Sequence, residues 1–234
     1  MQYDVILTAA GSGSRTKLGY NKVFLPIENK PCFMYSVELF LADSGCGTIY
    51  ITIAAQEEQK FDTALKAAGI ERNRVKLVYG GKTRQESVFA ALKQVKSYKV
   101  FVHDGSRPFL KSEKLTKMKA LLAFEKAVIL GVKATDTLKE VDAFNEVSRT
   151  IKRDHVYYAQ TPQAFDRDAL YTAHELAENE GFMATDDAQI IEYAGKHRVQ
   201  IVEGDKYNMK ITTPDDIEIA AVYMKILNQK KGEV

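Results

Sequence analysis

The segment Val5-Ile6-Leu7, followed after Thr8 by Ala9-Ala10-Gly11-Ser12-Gly13-Ser14-Arg15, is an apolar run that leads into a turn rich in glycine and serine. Similar apolar runs recur along the chain and alternate with segments whose apolar residues have helical spacing. The predicted strands are 5–7, 49–53, 75–78, 100–102 and 127–130, and the predicted helices are 33–42, 57–68, 87–95 and 115–124. This alternation is typical of parallel βαβ units, so it predicts a doubly wound α/β fold with a mostly parallel sheet.

The composition predicts one soluble domain, 1–234. A chain of 234 residues is long enough to bury a core under a central sheet. Its formal charge of +2 is too small to favour a nucleic-acid or membrane partner. Cys32 and Cys46 form neither a disulfide framework nor a metal-binding spacing, and the N-terminus does not have the pattern of a secretory signal. We therefore expect a cytoplasmic protein that binds neither nucleic acid nor a membrane.

Residues 133–159 interrupt the alternation. Two polar, β-branched segments, 137–141 and 147–151, flank the turn 142–145. This pattern predicts a two-stranded β-arm that projects from the sheet. Because an isolated hairpin is marginally stable in water, we expect the arm to pack against a second subunit in a homodimer.

The turn after the first strand predicts a site for an anion, because glycines allow close approach of the backbone and successive amide N–H groups attract negative charge. The turn is not a Walker A loop, and Thr16 occupies the position of the third glycine of a dinucleotide fingerprint. Arg15 and Lys22 would add charge around a polyphosphate and stabilise a crowded phosphorus. The alternative is that both are solvated surface cations.

A second candidate segment, His103-Asp104-Gly105-Ser106-Arg107-Pro108, follows the fourth predicted strand. Ligands of open parallel sheets bind beyond the carboxyl ends of the strands. Asp104 would hold Mg²⁺, which prefers carboxylate and phosphate oxygens, or would be a simple turn residue. Arg107 would bind a second phosphate or brace the loop, and His103 is expected to be a packed, hydrogen-bonded residue.

Two further segments fit the same site. Gly80-Gly81-Lys82 ends the third strand before a helix at Ser87, and it would offer backbone groups to a nucleobase. Asn208-Met209-Lys210-Ile211-Thr212 adds another cation. The sequence has no Ser/His/Asp arrangement and no metal-binding His pair. A phosphate monoester that attacks the α-phosphorus of a nucleotide needs no general base, since it is already anionic near neutrality. The residues therefore predict nucleotidyl transfer by positioning, Mg²⁺ and cations.

The motifs together resemble the 2-C-methyl-D-erythritol 4-phosphate cytidylyltransferases over nearly the whole chain. In chain order the matching motifs are Ala9-Ala10-Gly11-x-Gly13-x-Arg15, Asn21-Lys22, Gly80-Gly81, Ser87-Val88, His103-Asp104-Gly105-x-Arg107-Pro108-Phe109, Asp136-Thr137, Gln160-Thr161-Pro162-Gln163, Thr185-Asp186-Asp187-Ala188 and Asn208-x-Lys210-x-Thr212. The resemblance implies a nucleotidyltransferase fold of the glycosyltransferase A type and a homodimer clasped by arms. It also implies that CTP and methylerythritol phosphate are converted to the CDP-alcohol and pyrophosphate in the non-mevalonate isoprenoid pathway.

The resemblance further implies a role for each site residue. Arg15 and Lys22 would stabilise the pentacoordinate α-phosphorus, and Lys210 would act beside them on the polyol phosphate. The residues around CTP would be Ala9, Ala10, Gly11, Gly13, Gly81, Ser87, Asp104 and Gly105, with Asp104 also on Mg²⁺. The residues that hold the polyol phosphate would be Arg107, Thr137, Arg153 and Thr161, of which Arg153 and Thr161 would reach across the dimer.

The chain departs from the family pattern at three positions. Thr16 replaces a Met, Lys82 replaces an acidic residue and Ser106 replaces an Ala. Lys82 leaves the ribose or base contact at that position open.

Two other functions are compatible with the motifs. A ribitol 5-phosphate cytidylyltransferase of teichoic-acid synthesis would share the fold and loops, but a small aliphatic residue such as Val would replace Ser106. A non-catalytic nucleotide-binding protein is disfavoured because Arg15, Lys22 and Asp104 are all present.

Overall fold

The computed structural model describes residues 1–11 and 19–232. In chain order the strands are β1 (Tyr3–Thr8), β2 (Pro26–Ile27), β3 (Lys30–Pro31), β4 (Cys46–Ile53), β5 (Val75–Tyr79), β6 (Lys99–Asp104), β7 (Ala127–Lys133), β8 (Leu138–Val141), β9 (Val147–Ile151), β10 (Tyr157–Asp166) and β11 (Gln200–Glu203). The α-helices are α1 (Cys32–Ala42), α2 (Glu58–Ala67), α3 (Arg84–Leu92), α4 (Ser112–Leu122), α5 (Arg167–Glu180), α6 (Asp187–Ala194) and α7 (Pro214–Gly232).

The central sheet has seven strands in the order β11-β7-β10-β6-β1-β4-β5. Strand β10 runs antiparallel to both of its neighbours, and the other pairs are parallel. The predicted doubly wound, mostly parallel sheet is therefore confirmed. After β1 the chain adds β4 and β5 on one side of it, and it then crosses over to add β6 on the other side. This reversal opens a crevice at the carboxyl end of β1, where ligands bind in such sheets.

Both faces of the sheet are covered, which explains why its strands are apolar runs rather than alternating ones. Leu7 packs on one face in a cluster with Phe33 of α1 and Phe61 of α2. Ile6, the preceding residue, points to the opposite face and packs with Val88 of α3. Burying each such side chain contributes about 1.5–3 kcal/mol, so the two layers hold β1 rigidly under the site.

Local sequence features explain where two of the helices begin. Helix α3 begins at Arg84, three residues earlier than predicted, because Thr83 caps it by accepting from the Glu86 backbone N–H. The Glu86 carboxylate accepts from the Lys82 N–H at 2.8 Å rather than from the Thr83 N–H, so only half of a capping box forms. Helix α7 begins at Pro214, since proline has no N–H and the first helical position needs none.

Strands β8 and β9 form a separate two-stranded antiparallel sheet, which confirms the predicted projecting arm. Apolar side chains of the arm are exposed, with Phe144 at the turn 85% accessible. Contact of this arm with a second subunit stays a prediction. Across residues 1–11 and 19–232, none of the helices has the length and apolar character needed to cross a membrane.

Candidate active site

A cleft of about 420 Å³ lies at the carboxyl ends of the central strands. Its walls are formed by the end of β1 and the residues after it, by β4 and by residues 21–23, which precede β2. The segments that follow β5, β6 and β11 complete them. The lining residues are Thr8, Ala9, Ala10, Gly11, Asn21, Lys22, Val23, Thr52, Gly81, Lys82, Thr83, Arg84, Ser87, Asp104, Ser106, Lys210 and Thr212.

The loop after β5 requires glycine because it lies directly against α3. A Cβ atom on Gly80 would come within 2.6 Å of the Ser87 hydroxyl, and one on Gly81 within 2.4 Å of the Glu86 Cβ. The Gly81 N–H donates to the Ser87 hydroxyl at 3.1 Å, and that hydroxyl donates to the Thr83 carbonyl at 2.8 Å. The close approach leaves backbone groups of this loop on the wall of the cleft.

Asp104 ends β6 and its carboxylate is surrounded by three cations. Lys210 Nζ lies 2.8 Å from Oδ2, Arg84 Nε lies 3.3 Å from Oδ1, and Arg107 Nε lies 3.5 Å from Oδ2. Burial alone would raise the pKa of this carboxyl. The charges of Arg84, Lys210 and Arg107 outweigh burial and hold the pKa of Asp104 well below its usual range. The carboxylate is therefore ionised at neutral pH.

Thr161 and His103 form the support beneath Asp104. His103 is fully buried, and burial lowers its pKa to about 4, so the ring is neutral. Its Nε2 lies 3.2 Å from the Arg107 carbonyl, which can only accept, so Nε2 carries the proton. Nδ1 then accepts from the Thr161 hydroxyl at 2.9 Å, and the hydroxyl oxygen accepts from the Asp104 N–H at 3.0 Å.

This placement differs from the expectation that Thr161 reaches a neighbouring subunit to hold the polyol phosphate. Thr161 is buried and both hydrogen bonds of its hydroxyl stay within its own chain. Its hydroxyl fixes the backbone of Asp104 instead. His103 is a packed, hydrogen-bonded residue, as expected.

Arg107 connects two segments behind the cleft rather than lining it. Its Nη1 donates to the Asn208 carbonyl at 2.7 Å, and Asn208 Nδ2 donates to the Thr161 carbonyl at 2.8 Å. These bonds fix the segment that carries Lys210 to the loop after β6 and to β10. The structure thus favours the bracing role among the two expected for Arg107.

The remaining candidates fall into three groups. Gly105 lies behind the wall, where its N–H donates to the Thr8 carbonyl at 2.9 Å. Thr137 and Arg153 are exposed in the arm region, and neither lines the cleft of its own chain. The Arg153 guanidinium donates to the Thr135 carbonyl. Gly13 and Arg15 lie outside the described residues. The candidates that the structure brings together are Ala9, Ala10, Gly11, Lys22, Gly81, Ser87, Asp104 and Lys210.

Arg84 is a cleft residue that sequence reasoning missed. Besides Asp104 it contacts Asp187, whose carboxylate is fully buried and lies 2.8 Å from Arg84 Nη2. His174 Nε2 lies 3.9 Å from the same carboxylate, but burial lowers the pKa of His174 to about 4, so it brings no charge. Asp187 belongs to the motif Thr185-Asp186-Asp187-Ala188, and its pairing with Arg84 gives that motif a physical role.

We expect Arg84→Ala to lower the free energy of unfolding by about 1–3 kcal/mol, because it leaves the Asp187 carboxylate buried without its charged partner. Urea unfolding monitored by circular dichroism measures this loss. Arg72→Ala is the matched control, since Arg72 pairs with Asp62 at an exposed site and should cost less than about 1 kcal/mol. Equal losses in the two variants would contradict the buried pair.

The chain matches the family described as IspD, 2-C-methyl-D-erythritol 4-phosphate cytidylyltransferase, over residues 3–226. Relatives bearing that enzyme name in Bacillus pumilus and Bacillus licheniformis are each 39% identical to it. The first match covers 96% of this chain and 97% of the relative, and the second covers 100% and 99%. The fold is similar to a 4-diphosphocytidyl-2C-methyl-D-erythritol synthase from Anaerococcus prevotii, with a TM-score of 0.86, 32% identity and 96% coverage of both chains. The enzyme structure from Francisella tularensis has a TM-score of 0.80 and 28% identity, covering 95% of this chain and 100% of that one. The resemblance inferred from the motifs is confirmed, and the chain belongs to the 2-C-methyl-D-erythritol 4-phosphate cytidylyltransferase family.

Proposed function

We propose that this enzyme transfers CMP from CTP to 2-C-methyl-D-erythritol 4-phosphate, which gives 4-diphosphocytidyl-2-C-methyl-D-erythritol and pyrophosphate for isoprenoid synthesis. Family membership supports the reaction. The single observation in the structure that carries it is one cleft lined by Lys22, Arg84 and Lys210, in which Arg84 and Lys210 pair with Asp104. Such a cleft is suited to two phosphate-bearing substrates.

The reaction depends on positive charge around the α-phosphorus and does not require a general base. A phosphate oxygen of the acceptor attacks the α-phosphorus of CTP, a new P–O bond forms, and the bond to the β-phosphate oxygen breaks as pyrophosphate leaves. Lys22 and Lys210 line the cleft and can balance the negative charge that crowds the phosphorus. The neutral His103 lies beneath Asp104 and outside the lining, so its place supports a mechanism without a histidine base.

The reaction is tested by incubating the enzyme with CTP and methylerythritol 4-phosphate and following both products. Pyrophosphate and the CDP-alcohol should appear in equal amounts, by a coupled assay and by mass spectrometry. Binding of CTP without release of pyrophosphate would support the non-catalytic alternative instead.

Base selection should favour CTP over UTP by about tenfold or more. The loop at Gly81 lines the cleft, and its backbone carbonyls would face the pyrimidine edge, where cytosine has an amino donor and uracil a carbonyl acceptor. Leaving one buried polar group unpaired costs about 1–3 kcal/mol, and each 1.4 kcal/mol corresponds to about tenfold in kcat/KM. Pyrophosphate release with each nucleotide measures the ratio, and equal values would refute this form of base recognition.

We also propose that Mg²⁺ accompanies CTP, with Asp104 as its protein ligand. Among the described residues, Asp104 is the only acidic side chain that lines the cleft, and no group of three or more His, Cys, Asp or Glu side chains could enclose an ion. This donor set fits Mg²⁺, which commonly binds one or two carboxylates and takes its other ligands from phosphates and water. When bound, the ion would offset phosphate charge.

Asp104→Asn should then raise the magnesium concentration needed for half-maximal velocity several-fold, because a neutral amide is a weaker ligand than a carboxylate. The velocity is measured over a magnesium titration. Asp205→Asn is the control, since Asp205 pairs with Lys111 outside the cleft. Full activity of the wild-type enzyme in excess chelator would contradict magnesium dependence.

We further propose a homodimer that forms through the arm, in the cytoplasm. The exposed Val141, Phe144 and Val147 of the arm support an association that buries them. Both cysteines are free and buried, which suits a reducing compartment. Sedimentation of the wild type as a dimer, and of a Phe144→Asp variant as a monomer, would agree with this arrangement. A wild-type monomer would contradict it.

A further inference from the structure

Asn21 immediately precedes Lys22 and is almost completely buried, with 3% of its surface accessible. All of the polar groups of its side chain are hydrogen-bonded. Nδ2 donates to the Ala9 carbonyl at 2.7 Å and to Glu57 Oε2 at 2.8 Å, and Oδ1 accepts from the Val23 N–H at 3.3 Å. The side chain therefore uses both donors and its acceptor within one small region.

These three bonds join separate segments of the cleft wall. Ala9 lies just after β1 and lines the cleft. Glu57 belongs to the short 3-10 turn Ala55–Glu57 that follows β4. Val23 belongs to the 3-10 turn Lys22–Phe24, which also carries Lys22, and Asn21 caps that turn. The backbone of Lys22 is thus tied to two neighbouring strand ends through a single amide group.

We propose that Asn21 is a positioning residue for Lys22: its amide holds the turn Lys22–Phe24 against Ala9 and Glu57, so that the Lys22 ammonium is presented to the phosphates of CTP. This inference rests on the proposed function. Lysine has a flexible four-carbon side chain, which does not by itself hold the ammonium in one place. A fixed backbone at Lys22 limits the positions that the ammonium can reach. Misplacement of a reacting or stabilising group by about 1 Å can cost about 100-fold in rate.

The geometry accounts for the residue type. An amide can donate to two acceptors on one side while it accepts from one donor on the other. An aspartate of the same shape would place a carboxylate oxygen where Nδ2 now lies, 2.8 Å from the Glu57 carboxylate and 2.7 Å from the Ala9 carbonyl. Asn21→Asp therefore converts two attractions into two repulsions without changing the volume of the side chain.

Asn21→Asp and Asn21→Ala should lower kcat about tenfold or more and leave KM for CTP nearly unchanged, because the interaction that they weaken is made mainly in the transition state. The decisive measurement combines Asn21→Ala with Lys22→Ala. If Asn21 acts through Lys22, the asparagine substitution changes kcat by less than about twofold once Lys22 is absent. A general disturbance of the cleft would lower kcat by the same factor in both backgrounds, and that result would overturn the proposal.

Two further variants keep the test decisive. Asn73→Ala is the matched control, because Asn73 also donates to a glutamate, Glu71, but at an exposed site outside the cleft, and it should leave kcat unchanged. Glu57→Ala removes only one of the three hydrogen bonds of Asn21. This variant provides the test if the Asn21 variants do not fold. It should lower kcat by a smaller factor, again with an unchanged KM, and an unchanged kcat would overturn the proposal. A wild-type enzyme that transfers no CMP would refute the proposed function itself, whereas additive losses in an active enzyme refute only the role of Asn21.

Discussion

Lys22→Ala is expected to lower kcat about 100-fold or more and to change KM for CTP little, as happens when a donor to a developing charge is removed. Lys22 lines the cleft on the turn that Asn21 caps, within the same lining as Asp104 and Lys210. The negative charge around the α-phosphorus is most crowded in the transition state, so a fixed ammonium contributes most at that point.

Steady-state pyrophosphate release over a range of CTP concentrations separates the two kinetic constants. Lys60→Ala is the control, because Lys60 is exposed on α2 and does not line the cleft. A Lys22→Ala enzyme with nearly normal kcat would identify Lys22 as a surface cation. A raised KM with unchanged kcat would limit its role to binding of the ground state.

Mixing inactive Lys22→Ala and Arg153→Ala dimers should restore about a quarter of wild-type activity, on the symmetry of a shared site. Arg153 lies in the short turn Arg153–His155 after the arm, is exposed and does not line the cleft of its own chain. An arginine there could serve the neighbouring subunit, since its planar guanidinium can bind two phosphate oxygens at once.

The expected recovery follows from counting sites. Random exchange makes about half of the dimers hybrids, and each hybrid has one doubly damaged site and one intact site. If Arg153 serves its own subunit, every hybrid site carries one lesion and mixing restores nothing. That outcome, in a sample in which native mass spectrometry shows hybrid dimers, would exclude the shared site. The matched control is the same mixture assayed before the two variants have had time to exchange subunits.

The elements that could be predicted are those whose apolar residues follow a strand or helix pattern within one continuous segment. Strand β1 and helix α1 are continuous apolar and helical patterns, and the structure has them within two residues of the predicted bounds. Strand β10 was not predicted, because it contains two glutamines and Pro162, and proline is unusual in a central strand. The structure accommodates Pro162 where the register between β10 and β7 shifts, between Gln160 and Gln163. A register irregularity depends on the neighbouring strand and cannot be read from one segment.

In the candidate site too, features that follow from one segment could be predicted, and features that depend on a distant segment could not. Lys22 and Asp104 come after different predicted strands, and the rule that ligands bind at the carboxyl ends of strands was enough to predict that they meet. Lys210 follows β11, which was not predicted, so its place in the site rested on the family motif. Arg84 is not among the predicted site residues, because its role depends on Asp187, about a hundred residues later. Thr161 was assigned to the substrate because its motif does not reveal that its hydroxyl is turned inward to the backbone of Asp104.

The alcohol substrate distinguishes the proposed reaction from that of a ribitol 5-phosphate cytidylyltransferase. Ser106, where a ribitol enzyme would have a small aliphatic residue, lines the cleft, and its carbonyl accepts from the Ile211 N–H at 3.0 Å. This bond holds the segment of Lys210 beside Asp104. A serine hydroxyl would be able to hydrogen-bond a polyol, which an aliphatic side chain at this position cannot do.

The most direct test is the kcat/KM for three acceptors, methylerythritol 4-phosphate, ribitol 5-phosphate and glycerol 3-phosphate, with CTP saturating and pyrophosphate release as the readout. The proposed function predicts the highest value for methylerythritol 4-phosphate, with 4-diphosphocytidyl-2-C-methyl-D-erythritol as the product identified by mass spectrometry. A higher value for ribitol 5-phosphate would contradict it.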